Sequence, residues 1–545
     1  MATAIRIAAL KGWVHFAPNS TDHFGYGDPR IHNEEMKAVP APLADLLVTV
    51  DKDSPIPLYL QLYEELRCRI LQKTLEGGMK LPSTRTMAAS LELSRNTVVA
   101  AFEQLLSEGY LEGRLGSGTY VADRLPEAYL AARCYQTAPS APRQDSLALS
   151  ERGRALGAIR FSTSLDPKSF GETKPAPFRI HTPALDRFPY PVWGKLLRRV
   201  WDRVRPEMLD GGEPAGYRPL REAIATYVRA SRAVSCDWQQ VIILPSSKTA
   251  LHLAANVLLD PGETVLTEDP SYQGFSAAFC QSGNPVLPVP VDGDGFDIHL
   301  GENLCPTARM ACVTPSHQHP LGVTLSLPRR LALLAWARRR QAWIVEDDYD
   351  SEFRYAGRPI ASLQGLDDQG RVIYVGTFSK TILPSLRLAY LVAPTGLVEA
   401  FRAARAHLDW ASPMLEQAVL ADFLREGHFA RHVRRMRALY EERREILRHE
   451  GERRLRGLLD FPERHTGLHL LGWLPSQVSD VELARQALAA GVEVTPLSVF
   501  RTRPGRSGLL LGFAAFDQQQ IRGGMERLAP LLERAVDLRE KEVAS

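Results

Sequence analysis

The chain has 545 residues, 66 Lys and Arg against 63 Asp and Glu, a net charge of +3, and 45% hydrophobic with 24% charged residues. That length exceeds a single core and implies two to four domains, and the balance is that of a globular protein, with no charge excess to favour a membrane surface. The six cysteines (Cys68, Cys134, Cys236, Cys280, Cys305, Cys312) are scattered and form no C-x-x-C pair, which excludes a sequence-readable zinc site or disulfide framework. No apolar run approaches the ~20 residues that span a bilayer, and M-A-T-A-I-R-I-A-A-L-K-G-W lacks the shape of a secretory signal. A reducing, cytoplasmic location is the expectation.

Residues 1–53 show no sustained periodicity and read as a loose extension, in which Met36 is a candidate alternative start. The pattern then becomes dense and helical over 54–123. Leu58, Leu62, Leu66 and Ile70 recur every four residues, one apolar stripe of an amphipathic helix. After the break at Gly77 and Gly78, Ser83 reads as the N-cap of a second helix with Met87, Ala88 and Leu91 inward, and Ser94 as the N-cap of a third with Val98, Phe102 and Leu105 inward. Y-L-E-G-R-L-G-S-G-T-Y-V reads as two short strands around a glycine turn.

In a helix-turn-helix of this kind the first turn of the last helix meets the DNA, which places Arg95, Asn96 and Thr97 beside the cap Ser94 at base edges and phosphates. Arg pairs with guanine and Asn with adenine in the major groove. Arg85 and Arg114 are positioned to reach phosphates or the minor groove. Net charge does not assist, because Pro55 to Asp123 holds seven basic against eight acidic residues, so placement alone carries this reading over that of a structural three-helix module. The string L-P-S-T-R-T-M-A, L-S-R-N-T-V, E-G-Y-L-E-G-R-L-G-S-G-T-Y-V resembles the winged helix-turn-helix of the GntR family over its full length.

Residues 124–175, with T-A-P-S-A-P-R-Q-D-S, read as a linker. Over 176–540, short apolar runs (V-I-I-L at 241, W-I-V at 343, V-I-Y-V at 372) alternate with helical stretches, the pattern of an α/β body with a largely parallel sheet. V-G-T-F-S-K ends one such run and sets Lys380 beside Thr377 and Ser379. A lysine there can form an imine with pyridoxal 5′-phosphate, and its companions make the case. Arg387 is placed to hold the phosphate, as are Ser246 and Ser247 where a strand turns into a helix N-terminus. Asp347, in E-D-D-Y-D, is placed to keep the pyridine nitrogen protonated, Tyr349 to offer a hydroxyl to the ring oxygen, and Tyr272, in E-D-P-S-Y, to stack on the ring.

From about residue 180 onward the chain resembles a fold-type I aminotransferase, including G-E-P-A-G-Y-R-P-L-R-E-A-I and T-P-S-H-Q-H-P-L-G. The two parts together resemble the MocR (GabR-like) subfamily of GntR regulators. The resemblance implies a winged helix-turn-helix linked to a large pyridoxal-phosphate-dependent transferase fold, a double-stranded DNA operator as partner, and a head-to-tail homodimer. Three positions depart from the pattern: His319 stands where aminotransferases carry the Asn that meets the ring oxygen, Leu510 where an Arg holds the substrate carboxylate, and Gly274 where the γ-aminobutyrate-sensing branch has a further Arg. Arg501, Arg503 and Arg506 lie nearby in sequence, on what reads as an exposed loop. A cofactor site kept while the carboxylate clamp is altered favours a regulator that senses pyridoxal phosphate, or an amine or amino acid reacting with it, over an active aminotransferase with an accessory domain or a cofactor carrier that binds no DNA.

Overall fold

The computed structural model describes residues 50–52, 54–114, 116–123, 125, 149–158, 176–357, 360–475 and 478–544. All of the expected extension but residues 50–52, and most of the expected linker, lie outside these residues. The chain divides into two compact units, 1–145 and 146–545.

In the first unit, α1 (Leu58–Leu71), α2 (Thr84–Ser90) and α3 (Arg95–Ser107) close around Leu62, Leu66, Val98 and Leu105, all fully buried, with Phe102 beside them. Ser83 caps α2 by accepting from the Thr86 amide at 3.2 Å, and Ser94 caps α3 by accepting from the Thr97 amide at 3.1 Å. Each cap satisfies a helix-end donor that water would otherwise have to satisfy. β1 (Leu111–Arg114) and β2 (Gly118–Val121) pair antiparallel from Leu111–Val121 to Arg114–Gly118, with Gly116 at φ 73° in the turn, where a Cβ would be strained. This is the wing.

The second unit is built on an eight-stranded sheet formed by β3 (Val241–Leu244), β4 (Val265–Asp269), β5 (Val286–Asp292), β6 (Gly295–Phe296), β7 (Met310–Val313), β8 (Trp343–Asp348), β9 (Val372–Thr377) and β10 (Ala389–Val392). Its order is β3-β10-β9-β8-β7-β4-β5-β6. β5, β4, β7, β8 and β9 run parallel, while β10 runs antiparallel to both β9 and β3. Helices cover both faces, so V-I-I-L of β3 is buried at every position, as continuous apolar strands of such sheets require. A second sheet of β11 (His469–Trp473), β12 (Thr495–Pro496) and β13 (Gly508–Gly512) is antiparallel. It shares a core with helices His428–Arg454 and Gln518–Ala544 through Tyr440, Leu447, Leu509, Leu511, Ile521 and Met525. A helix, Glu151–Ala158, stands within the segment expected to be linker. Among the described residues no helix is long and apolar enough to cross a membrane.

Candidate functional site

β3, β4, β7, β8 and β9 point the same way, so the segments leaving their carboxyl ends meet at one edge of the sheet, where open α/β sheets collect their ligands. Ser246 follows β3, Tyr272 follows β4, His319 follows β7, Asp347 and Tyr349 lie at the end of β8, and Thr377 and Lys380 at and just beyond the end of β9. The alternation of side chains along β8 decides which carboxylate of E-D-D faces the pocket. Glu346 accepts from the Leu363 and Gln364 amides, and Asp348 accepts from Arg232 at 2.7 Å and Tyr374 at 2.6 Å. Asp348 takes both bonds on Oδ2 and leaves its own Oδ1 without a partner, while Asp347, between the two engaged carboxylates, also keeps a buried Oδ1 with no partner. Burial, with Asp348, Asp350 and Glu268 as neighbouring charges, pushes its carboxyl up to about 7.

Lys380 is half-buried and its Nζ lies 3.4 Å from the His181 carbonyl. Burial lowers its amine to about 8, against the pull of Asp350 and Asp347 and with the push of Lys248. Ser246 caps the helix Ser247–Leu258, accepting from the Thr249 amide at 3.2 Å, so its hydroxyl serves the helix end and Ser247 is the first residue of that helix. Arg387 is exposed, at φ 51°; burial and then its charge lower the Lys248 amine, while burial and Asp347 push the Tyr272 hydroxyl up, which the Arg387 charge only partly offsets. Lys248 lies 5.8 Å from the Tyr272 ring centroid. Thr377 accepts from the Ser379 amide at 3.2 Å. Two lysines, an arginine and a helix N-terminus thus make this end of the pocket positive.

Tyr349 differs from expectation in one respect: its hydroxyl lies 3.0 Å from His317 Nδ1, which also meets Asp350 at 2.9 Å. His319 is 2% exposed and both of its ring nitrogens are without partners. It sits 4.9 Å from the His181 ring, 5.8 Å from His469 and, edge-on, 6.1 Å from Tyr272. Burial and the mutual proximity of these rings with Lys380 hold His181 and His319 well below the usual imidazole value, and His469 at about 3. They are neutral imidazoles at physiological pH, each able to donate and accept. His181, His317, His469, Asp350 and Lys248 went unread in the sequence, and only T-P-S-H-Q-H-P, with its paired histidines, carried a signal.

The departures have structural reasons. A Cβ on Gly274 would lie 2.1 Å from Tyr272 Cε1, so no side chain fits there while that ring keeps its place. Leu510 is fully buried with Ile180, Leu471, Leu497 and Phe500. In the first unit Arg85, Arg95 and Asn96 are exposed. The Thr97 hydroxyl is 2.8 Å from Ser94 Oγ and belongs to the cap. Arg114 is exposed but tied to the wing itself, 2.9 Å from Glu112 and 4.4 Å from the Tyr120 ring centroid.

A DNA-reading winged helix and a fold-type I aminotransferase body define a two-part class of protein, and comparison with known sequences agrees. Residues 58–121 match the model of bacterial regulatory proteins of the gntR family, and residues 202–528 that of aminotransferase class I and II. The chain is 39% identical over 485 residues to the "Probable rhizopine catabolism regulatory protein MocR" of Rhizobium meliloti, covering 88% of this chain and 95% of that one. It is 32% identical to the HTH-type transcriptional regulator TauR of Rhodobacter capsulatus, covering 86% and 96%. Among solved structures it is similar to LysN, an α-aminoadipate aminotransferase of Thermus thermophilus complexed with N-(5′-phosphopyridoxyl)-L-leucine, with 30% identity and a TM-score of 0.61 over 66% of this chain and 92% of that one. The chain belongs to the GntR-type transcriptional regulators that carry an aminotransferase class I and II domain.

Proposed function

We propose that this regulator binds pyridoxal 5′-phosphate on Lys380 and uses it to sense a small amine, an amino acid or the cofactor itself, acting in the cytoplasm on a double-stranded operator as a head-to-tail homodimer. The observation that carries the cofactor reading is the unpartnered Oδ1 of buried Asp347, whose carboxylate acts electrostatically on Lys380. Asp347 would accept from a pyridinium N–H held there, which would satisfy that oxygen and favour the charged carboxylate. His319 offers two further unpartnered nitrogens, in place of an asparagine, to the ring oxygen. The N-terminus of helix Ser247–Leu258, with Ser246, Ser247, Lys248 and Arg387, suits the phosphate, Tyr272 suits the ring face, and Thr377 lies beside Lys380.

When bound, the cofactor supplies an electrophilic carbonyl and an electron sink for amines. Lys380, its amine lowered by burial, would be the residue that holds that carbonyl. With Leu510 in an apolar cluster, the carboxylate clamp that orients an amino acid for turnover is missing at that place, which supports sensing over catalysis. In the DNA-reading unit Arg95 and Asn96 are the base-contacting residues at the cap of Ser94, with Arg85 and Arg114 at the backbone. The test is the visible spectrum of the purified full chain. Lys380→Ala is expected to abolish the visible absorbance of the bound cofactor while leaving the thermal unfolding cooperative, and an unchanged spectrum refutes the assignment of this lysine.

A further inference from the structure

Beyond the cofactor pocket, the second unit holds a cleft of about 430 Å³ whose rim carries Arg464, Arg501 and Arg503. Its walls are apolar, with Leu321, Val323, Leu471 and Trp473. The acids at its edge are already engaged: Asp269 accepts from the Thr502 amide at 3.0 Å and hydroxyl at 2.7 Å, and Asp292 pairs with Arg329 at 2.8 Å. Among the described residues neither Arg464 nor Arg503 has an acidic partner, and Arg464 Nε is buried with no hydrogen-bond partner at all. Arg501 lies over Trp473 at 5.8 Å and donates to the Arg506 carbonyl; burial lowers its guanidinium, against the nearby Asp480 and Asp269.

We propose that this cleft is a second small-molecule site, for an organic anion with an apolar body: a carboxylate, sulfonate or phosphate head on the arginines and a hydrocarbon against Leu471 and Trp473. Its volume lies within the range of small-ligand pockets, and guanidinium groups without acidic partners are suited to oxyanions. The cleft abuts the segments that carry the cofactor-pocket residues, since Pro270 is two residues before Tyr272, Leu321 two after His319, and Leu471 pairs with Leu510 across β11 and β13. An occupant therefore touches the framework of the pocket without entering it.

The test uses the purified full chain and two fluorescent probes of the same hydrocarbon body, 1-anilinonaphthalene-8-sulfonate and the uncharged N-phenyl-1-naphthylamine. The sulfonate is expected to saturate one site per chain with at least about tenfold tighter binding than the neutral probe. Arg464→Ala combined with Arg503→Ala is expected to weaken it about tenfold and leave the neutral probe unaffected. Equal binding of the two probes, or unchanged sulfonate affinity in the double variant, overturns the assignment. Should the double variant fail to fold, exposed Arg503→Ala alone decides: a weaker sulfonate complex supports the site and an unaltered one rejects it.

Discussion

Lys380 and Asp347 are shifted toward one another's working range by the same pocket: burial lowers the amine to about 8 and raises the carboxyl to about 7. The consequence for Lys380 is kinetic, because the neutral amine is the nucleophile. Cofactor loading of the unloaded chain, followed by stopped-flow absorbance, is expected to accelerate about tenfold per pH unit below 8 and to flatten above it. A rate still climbing at pH 10 contradicts the shift. For Asp347 the folded value lies above the unfolded one, so its stabilising contribution is complete below about 4 and is lost as the pH rises through 7. Asp347→Asn, which has no such loss, is expected to gain at least about 1.4 kcal/mol on the natural chain between pH 5 and pH 8 in the unloaded protein. It should also bind pyridoxal phosphate more weakly. Denaturant unfolding at the two pH values checks the first expectation, and an equal difference at both rejects it. Asp347 was legible because it follows an apolar run. What the sequence did not disclose was that Glu346 and Asp348 are engaged on the opposite face of β8, or that His181 and His469 converge from distant segments on the pair His317 and His319. Both depend on strand alternation and topology rather than on spacing.

At the scale of elements, α3 is the helix that carries the proposed base-reading residues. Ser94 holds it through the Thr97 amide, and Arg95 and Asn96 project from the turn it fixes. Ser94→Ala is expected to cost the first unit about 1 kcal/mol of stability, measured by thermal unfolding. Arg95→Ala is expected to leave that stability unchanged and to weaken operator binding by about 1 to 3 kcal/mol. Unaltered affinity in a fluorescence-anisotropy titration shows that another segment reads the bases. The two N-caps, the wing and the strands at 241, 343 and 372 could be read directly, because caps, glycine turns and apolar runs are local signals. The antiparallel sheet of β11 to β13 could not. Its strands are short, and β12 is only Thr495–Pro496. Its core is shared with helices His428–Arg454 and Gln518–Ala544, which no local pattern announces. The helix Glu151–Ala158 was hidden for a related reason, being only 8 residues long and flanked by segments without periodicity.

The whole molecule joins two units with separate cores, one shaped to read DNA and one built as an aminotransferase, within a family of transcriptional regulators. A ligand in the second unit can influence the first only by its differential affinity for two states of the protein. Sensing rather than turnover is therefore a claim about coupling, and coupling is measurable. The decisive measurement is the affinity of the full chain for DNA from upstream of its own gene, with and without pyridoxal 5′-phosphate, alongside turnover of a panel of amines. The expected result is specific binding whose affinity changes severalfold with the cofactor, the change vanishing in Lys380→Ala. Fast amine turnover with no specific DNA binding, or DNA affinity indifferent to the cofactor, contradicts it.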